Sequence, residues 1–397
     1  MDERNKGLIK LLLRIGSYIL VAALATAMTL AYYTDGGLPT AQSGKLQELK
    51  KLIVDKYIGD VDETLLEDMA AAGMVAGTGD QWSYYIPADQ LQEHKDVMAN
   101  AYVGIGVTIR SEENEQGFEI LQVEPGGPAK EGGILPGDVI VAVDGQSVVG
   151  KDVEATKSIV VGDIGTTVDI TFVRQGREQT VTLTRQEIMV QVASGQMLTE
   201  DVGYIRIKNF DSRCAQETIA LYEELEQQGA KAFVFDVRFN PGGYKDEMVQ
   251  ILDFLLPEGV LFRSENYLGF TAEDTSDASC KDVPMAVLIN ADSYSAAEFF
   301  AAALQEYDYA VTVGQATTGK GYFQNTFELS DGSAVNLSVG KYFTPNGVSL
   351  AEVGGLEPQI PVEVDEETAA LIYGELLEIE QDVQIQAALE AVQKELS

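Results

Sequence analysis

Histidine is almost absent from this 397-residue chain. The single one, His94, lies in the polar helical stretch DQLQEHKDV, far in sequence from any strand-to-helix corner. A histidine base is therefore a poor expectation, and a solvated surface side chain a better one. Cysteine is nearly as scarce. Cys214 and Cys280 lack the close pairing of zinc or iron–sulfur sites, so no metal is expected, and whether they form one disulfide or remain two thiols is open. Positive charge is also short: 27 basic residues face 63 acidic ones. The net charge of −36 repels a phosphate backbone and argues against nucleic acid as a partner. Internal repeats and low-complexity tracts are lacking too, and no basic nucleotide-binding stretch suggests a cofactor.

The chain does have one long apolar run. Arg4, Lys6, Lys10 and Arg14 precede Ile15 to Tyr33, which carries no charge. About nineteen residues at helical rise suffice to cross a bilayer. The basic flank places the N-terminus in the cytoplasm, so residues 15–33 are expected to be a single-pass anchor with the bulk of the chain outside the cell membrane. Small-x-small pairs around Ala25 leave a cleaved signal peptide as the alternative.

Beyond residue 35 the expected organisation is multidomain α+β. Residues 36–100 show helical spacing, as in LQELKKLIVDKY, whereas 101–188 break into short glycine-punctuated strands. Residues 189–365 alternate apolar strands with helices in α/β fashion, and 366–397 are helical again.

Three segments of the α/β region suit acyl-transfer chemistry. In MAVLINADSYSAAEFFAAAL, Ser295 stands where an apolar strand turns into a helix, so its hydroxyl can project while the Ala296 amide points at a bound oxygen. A serine there is also an ordinary helix cap, a task that Ser293 could equally perform. In AVTVGQATTGKGYFQ, Lys320 follows another strand between two glycines; burial can strip the proton from such a lysine, and Gln324 offers an amide to orient it. DVRFNPGGY ends a third strand in a turn whose Gly242 or Gly243 amide suits an oxyanion hole, or is simply a tight turn.

Together these segments resemble the C-terminal processing (tail-specific) proteases, which use a Ser-Lys dyad. The resemblance rests on Ser295-Ala-Ala-Glu298, on Gly319-Lys320-Gly321 with Gln324, on the 25-residue interval from 295 to 320, and on Asp236 to Gly243. It extends to Asp80 to Tyr85, to Phe343 to Gly347, and to PDZ-like signatures at Val103 to Val107, Gly126 to Ala129 and Pro136 to Ile140. Gln81, Ala297, Gln315, Leu135 and the segment Gly355 to Gln359 depart from the family pattern.

The resemblance implies a serine-type endopeptidase with a crotonase/ClpP-like core, a PDZ-like module at 101–188 and no cofactor. It also implies that the Gly104, Ile105 and Gly106 amides hold the terminal carboxylate of exported protein tails. An inactive exported PDZ scaffold is the alternative function, acyl-CoA chemistry a remote one, and homo-oligomerisation is left open.

Overall fold

The computed structural model describes residues 41–396 except 112–115 and 125. The apolar run at 15–33 lies outside these residues. Among the described residues no helix is long and apolar enough to cross a membrane. The chain divides into two compact units between Thr78 and Gly79.

The first unit contributes α1 (Ala41–Lys56) and α2 (Glu63–Ala76). Asp62 caps α2 by accepting from the Leu65 N–H at 3.1 Å, and Lys50 ion-pairs with Glu63 at 3.0 Å and also with Glu67. Leu46, Leu49 and Leu52 of α1 remain exposed.

The second unit opens with β1 (Tyr84–Ile86) and α3 (Leu91–Met98), so the stretch expected to be wholly helical up to residue 100 contains a strand and belongs to two units. A small β module follows, made of β2 (Ala101–Gly104), β3 (Val107–Ser111), β4 (Phe118–Val123), α4 (Pro128–Glu131), β5 (Val139–Val143), β6 (Gln146–Ser147), α5 (Val153–Val160), β7 (Thr167–Arg174), β8 (Arg177–Thr184) and β9 (Gln186–Met189). Its sheet runs β3-β4-β5-β7-β8 around a core of Phe118, Ile120, Ile140, Ile170 and Phe172. On one side β3 pairs with β4, and among the described residues no strand covers its other side.

The α/β core begins with β10 (Ala193–Met197), β11 (Val202–Ile207), α6 (Cys214–Gln228), β12 (Ala232–Asp236), α7 (Lys245–Leu255), β13 (Gly259–Asn266) and β14 (Thr271–Ser276). It continues with β15 (Met285–Ile289), α8 (Ala296–Glu306), β16 (Ala310–Gly314), β17 (Tyr322–Glu328), β18 (Ala334–Phe343), α9 (Leu350–Val353), β19 (Ile360–Pro361), α10 (Glu366–Tyr373) and α11 (Val383–Leu396).

A six-stranded sheet, β10-β11-β12-β15-β16-β19, is parallel except for β10. Successive side chains on a strand point to opposite faces. Phe233, Phe235, Val287 and Ile289 therefore pack against α6, α7 and α8, while Ala232, Val234, Ala286 and Leu288 pack against Ile385, Ala388 and Val392 of α11. Coverage of both faces accounts for the continuous apolar runs AFVFD and MAVLI.

A second, antiparallel sheet joins β17 along one side of β18, with β1 and β13 on the other and β14 beyond β13. The sequence reading passed over these strands. β14 and β17 are mostly exposed and carry neither an apolar run nor strict alternation, whereas in β18 Val335, Leu337 and Val339 do alternate with Asn336, Ser338 and Gly340.

Candidate active site

Parallel strands with helices between them gather loops at their C-terminal ends, and three such loops meet here. The first leaves β15. Ser293 is fully buried in it: its hydroxyl lies 2.8 Å from the Val237 carbonyl and accepts from the Asn290 N–H at 3.0 Å. Ser293 thus builds the turn, and Ser295 takes the N-cap position of α8. With φ +59° and ψ −127°, Ser295 adopts a backbone conformation that costs a non-glycine residue about 1–3 kcal/mol. Its side chain is tucked in, the residue being 8% exposed.

The second loop leaves β12. Beneath it lies a buried ion network, in which the Arg238 guanidinium donates to Asp236 at 2.6 and 3.0 Å, pairs with Asp382 at 2.9 Å and donates to Gln384 Oε1 at 2.8 Å. Tyr204 Oη donates to Asp236 at 2.7 Å. Burial pushes the Asp236 carboxyl up, but Arg238 and these donors together hold it below its ordinary value. The network fastens the loop to α11, which explains why a C-terminal helix bears on a site far away in sequence.

Above the network, Asn240 Nδ2 donates to the Ile207 carbonyl at 2.8 Å, and Asn240 Oδ1 accepts from the Gly242 N–H at 2.8 Å. The Gly242 amide, one of the expected oxyanion donors, is therefore already occupied. Among the described residues the Gly243 and Ala296 amides have no hydrogen-bond partner. Both glycines are required: a Cβ at Gly242 would lie 2.7 Å from Ser295 Cβ, and one at Gly243 would lie 2.3 Å from the Phe210 carbonyl carbon. Gly243→Ala, at φ +145°, is expected to destabilise the fold by about 2 kcal/mol or more, read as a lower urea midpoint; an unchanged midpoint would show that the turn can yield.

The third loop, after β16, carries Lys320 and is tied to the first by Glu298, a fully buried residue of α8. Glu298 Oε2 accepts from the amides of Ser295 at 2.9 Å and Lys320 at 2.8 Å; Oε1 accepts from the Thr317 hydroxyl at 2.5 Å and the Gly319 amide at 2.6 Å. Burial raises the Glu298 pKa although these four donors oppose the shift. Burial also lowers the Lys320 pKa to about 8 against the attraction of Glu298 and Asp80.

The described residues include no hydrogen bond between Ser295 Oγ and Lys320 Nζ. Lys320 Nζ instead lies 4.6 Å from the Trp82 ring centroid and 5.6 Å from that of Tyr294. Gln324 also departs from expectation, because its Nε2 donates to Ser338 Oγ and to the Tyr322 carbonyl, each at 3.0 Å, and not to the lysine. Glu298, Asp80 and Trp82 lie within the sequence motifs, but their contacts with Ser295 and Lys320 arise only in the folded chain.

Elsewhere, His94 is half-buried against Tyr84, with ring centroids 6.1 Å apart, rather than solvated. Both cysteines are free: Cys214 is buried, which pushes its thiol well above its ordinary range, and Cys280 is exposed. No cluster among the described residues could hold a metal ion. A cavity lined by Tyr204, Arg206, Arg238, Leu376 and Asp382 opens beside the buried ion network and holds none of Ser295, Lys320 or Gln324.

In the β module, Gly104 ends β2, where it pairs with Gln186 of β9, and Ile105 and Gly106 form the loop that enters the edge strand β3. Ile105 is buried and its carbonyl accepts from the Ala129 N–H at 2.8 Å. The Ile105 and Gly106 amides donate to no described residue.

The profile of peptidase family S41 matches residues 201–362, and that of the PDZ domain matches residues 103–184. The carboxy-terminal processing protease CtpA of Bacillus subtilis is 30% identical over 359 residues, covering 87% of this chain and 76% of that protein. The carboxyl-terminal-processing protease of Synechocystis is 34% identical over 295 residues, covering 72% of this chain and 67% of that protein. A solved S41 protease from Bacteroides fragilis shares the fold at a TM-score of 0.50 and 18% identity, over 78% of this chain and 90% of that one.

Proposed function

The chain belongs to peptidase family S41, that of the carboxy-terminal processing proteases, and we propose that it cleaves exported proteins near their C-termini with Ser295 as nucleophile and Lys320 as general base. One observation carries this reading: a single buried carboxylate, Glu298, binds the backbone amides of both Ser295 and Lys320, so two turns 25 residues apart are held as one site. The lysine there is depressed to about 8, within reach of the amine form near neutral pH.

In the proposed reaction the Lys320 amine takes the Ser295 proton, the serine oxygen attacks a peptide carbonyl, and the Gly243 and Ala296 amides bind the oxyanion. As the tetrahedral intermediate collapses, the peptide C–N bond breaks and the Lys320 ammonium protonates the departing amine. The amine of Lys320 then takes a proton from water, whose oxygen attacks the acyl ester, and returns that proton to the Ser295 oxygen as the new carboxyl terminus leaves. Gln324, through Ser338, steadies the strand that follows the lysine. The PDZ domain receives the substrate tail as a strand added to β3, with the free amides of Ile105 and Gly106 on its carboxylate; Gly106, at φ +78°, sets the bend of that loop, and Gly104 stays in β2. Residues 15–33 anchor the chain with its N-terminus in the cytoplasm.

The experiment uses an unstructured protein ending in apolar residues, offered with a free or an amidated C-terminus, with products read by mass spectrometry. The free carboxylate is expected to be cleaved about tenfold more efficiently, mainly through KM. Binding of the free tail without cleavage of either substrate at any pH between about 7 and 9 would overturn the reading in favour of a scaffold.

A further inference from the structure

The segment Asp80 to Tyr85 precedes the PDZ domain in sequence and has no part in the reaction described so far, yet it reaches the proposed base. Lys320 Nζ faces the Trp82 ring at 4.6 Å and the Tyr294 ring at 5.6 Å, and the two rings lie 5.5 Å apart at a 34° tilt. Trp82 is not a loose flap. Its backbone N–H donates to Asp80 Oδ1 at 3.1 Å, and Ser83 Oγ donates to Asp80 Oδ2 at 2.5 Å while accepting from the Ser338 N–H at 2.9 Å. The next residues, β1, pair with β18, the strand whose Ser338 also holds Gln324.

We propose that Trp82 and Asp80 are positioning residues that park the Lys320 side chain as an ammonium, unbonded to Ser295, and that a seated substrate must draw the amine off the ring before the serine is activated. The proposal rests on the reading of Lys320 as the base. An aromatic face attracts an ammonium and gains little from a neutral amine, and the Asp80 carboxylate discriminates in the same direction. The groups facing Lys320 are Glu298 on α8, Asp80 and Trp82 ahead of β1, and Tyr294 with Asp292 nearby on the loop before Ser295. Burial opposes them all and brings the resting ammonium closer to losing its proton than an ordinary lysine. Substitution of Trp82 by leucine keeps an apolar neighbour beside the amine and removes the ring's attraction.

The test measures the proton affinity of Lys320 directly, in the Ser295→Ala protein, from the pH dependence of its acetylation by acetic anhydride as followed by mass spectrometry. Trp82→Leu is expected to lower the midpoint by about half to one pH unit, Trp82→Phe by less, and Asp80→Asn also downward. In the enzyme with Ser295 intact, Trp82→Leu moves the acid limb of kcat to lower pH and raises kcat at pH about 7 severalfold. A role in packing alone lowers kcat at every pH and leaves the limb in place. An unmoved midpoint in Trp82→Leu at a near-native melting temperature overturns the proposal, as does an unmoved midpoint in Trp82→Phe should the leucine variant fail to fold. Undiminished turnover by Lys320→Ala overturns the base assignment and this proposal with it, whereas an unmoved midpoint beside an inactive Lys320→Ala overturns this proposal alone.

Discussion

Ser295→Ala and Lys320→Ala are each expected to lower kcat by about a thousandfold or more, and the double variant by little beyond either one, because in the proposed mechanism nucleophile and base act as a unit. Lys320→Arg is expected to be as inactive as Lys320→Ala. A guanidinium keeps its proton at any accessible pH, so charge at this position is insufficient. With Lys320 lowered to about 8, about a tenth of it is amine at pH 7, and kcat rises with pH toward a plateau above 8.

Stability distinguishes lost chemistry from lost fold. An ordinary lysine titrates at 10.5, so between about 8 and 10.5 the unfolded chain holds the proton and the folded one does not. Stability contributed by this group therefore rises with pH across that window, and the burial penalty on the ammonium is in full force below it. Lys320→Ala at pH 7 should accordingly melt no lower than the parent chain while losing turnover. Full activity in both single variants would remove the dyad.

Glu298→Gln is the second large effect, and it arises without contact with substrate. The carboxylate accepts four hydrogen bonds, two on each oxygen, from Ser295, Lys320, Thr317 and Gly319. A carboxamide of the same size keeps one acceptor oxygen and turns an NH2 group toward two donors. Leaving buried donors unsatisfied costs about 1–3 kcal/mol each, so a loss of about 2–4 kcal/mol in stability is expected together with a fall in kcat of at least about a hundredfold. Thr317→Val removes one donor to Glu298 and also the hydroxyl that accepts from the Leu356 N–H at 2.7 Å, so it costs stability too, but it leaves the Ser295 and Lys320 amides on the carboxylate and should be much milder in kcat. Equal effects of the two substitutions, in urea midpoint and in kcat, would show that Glu298 acts as filler and not as the fastener between the two turns.

The parallel strands were readable because they are buried on both faces, which forces apolar runs such as AFVFD and MAVLI whatever their neighbours. β14 and β17 of the antiparallel sheet were not, because TAEDTS and YFQNTFE are mostly exposed and draw their stability from pairing with neighbouring strands. Ser295 and Lys320 could be found at strand ends between small residues. The helix cap at Ser295 was equally readable, and only the burial of Ser293 within the turn assigned that position to Ser295.

By itself, then, the sequence determined the residue types of the site and the strand ends from which they project, since local burial and turn chemistry are written in adjacent residues. Only the tertiary structure decided how those residues are joined: which glycine amide stays free, which carboxylate fastens the two turns, and that Lys320 rests on Trp82 rather than on Ser295. The first turns on a side-chain bond only two positions long, one of several that the turn residues allow, whereas the other two join groups up to 238 positions apart, Trp82 and Lys320 being the farthest, and no local pattern records a contact of that range.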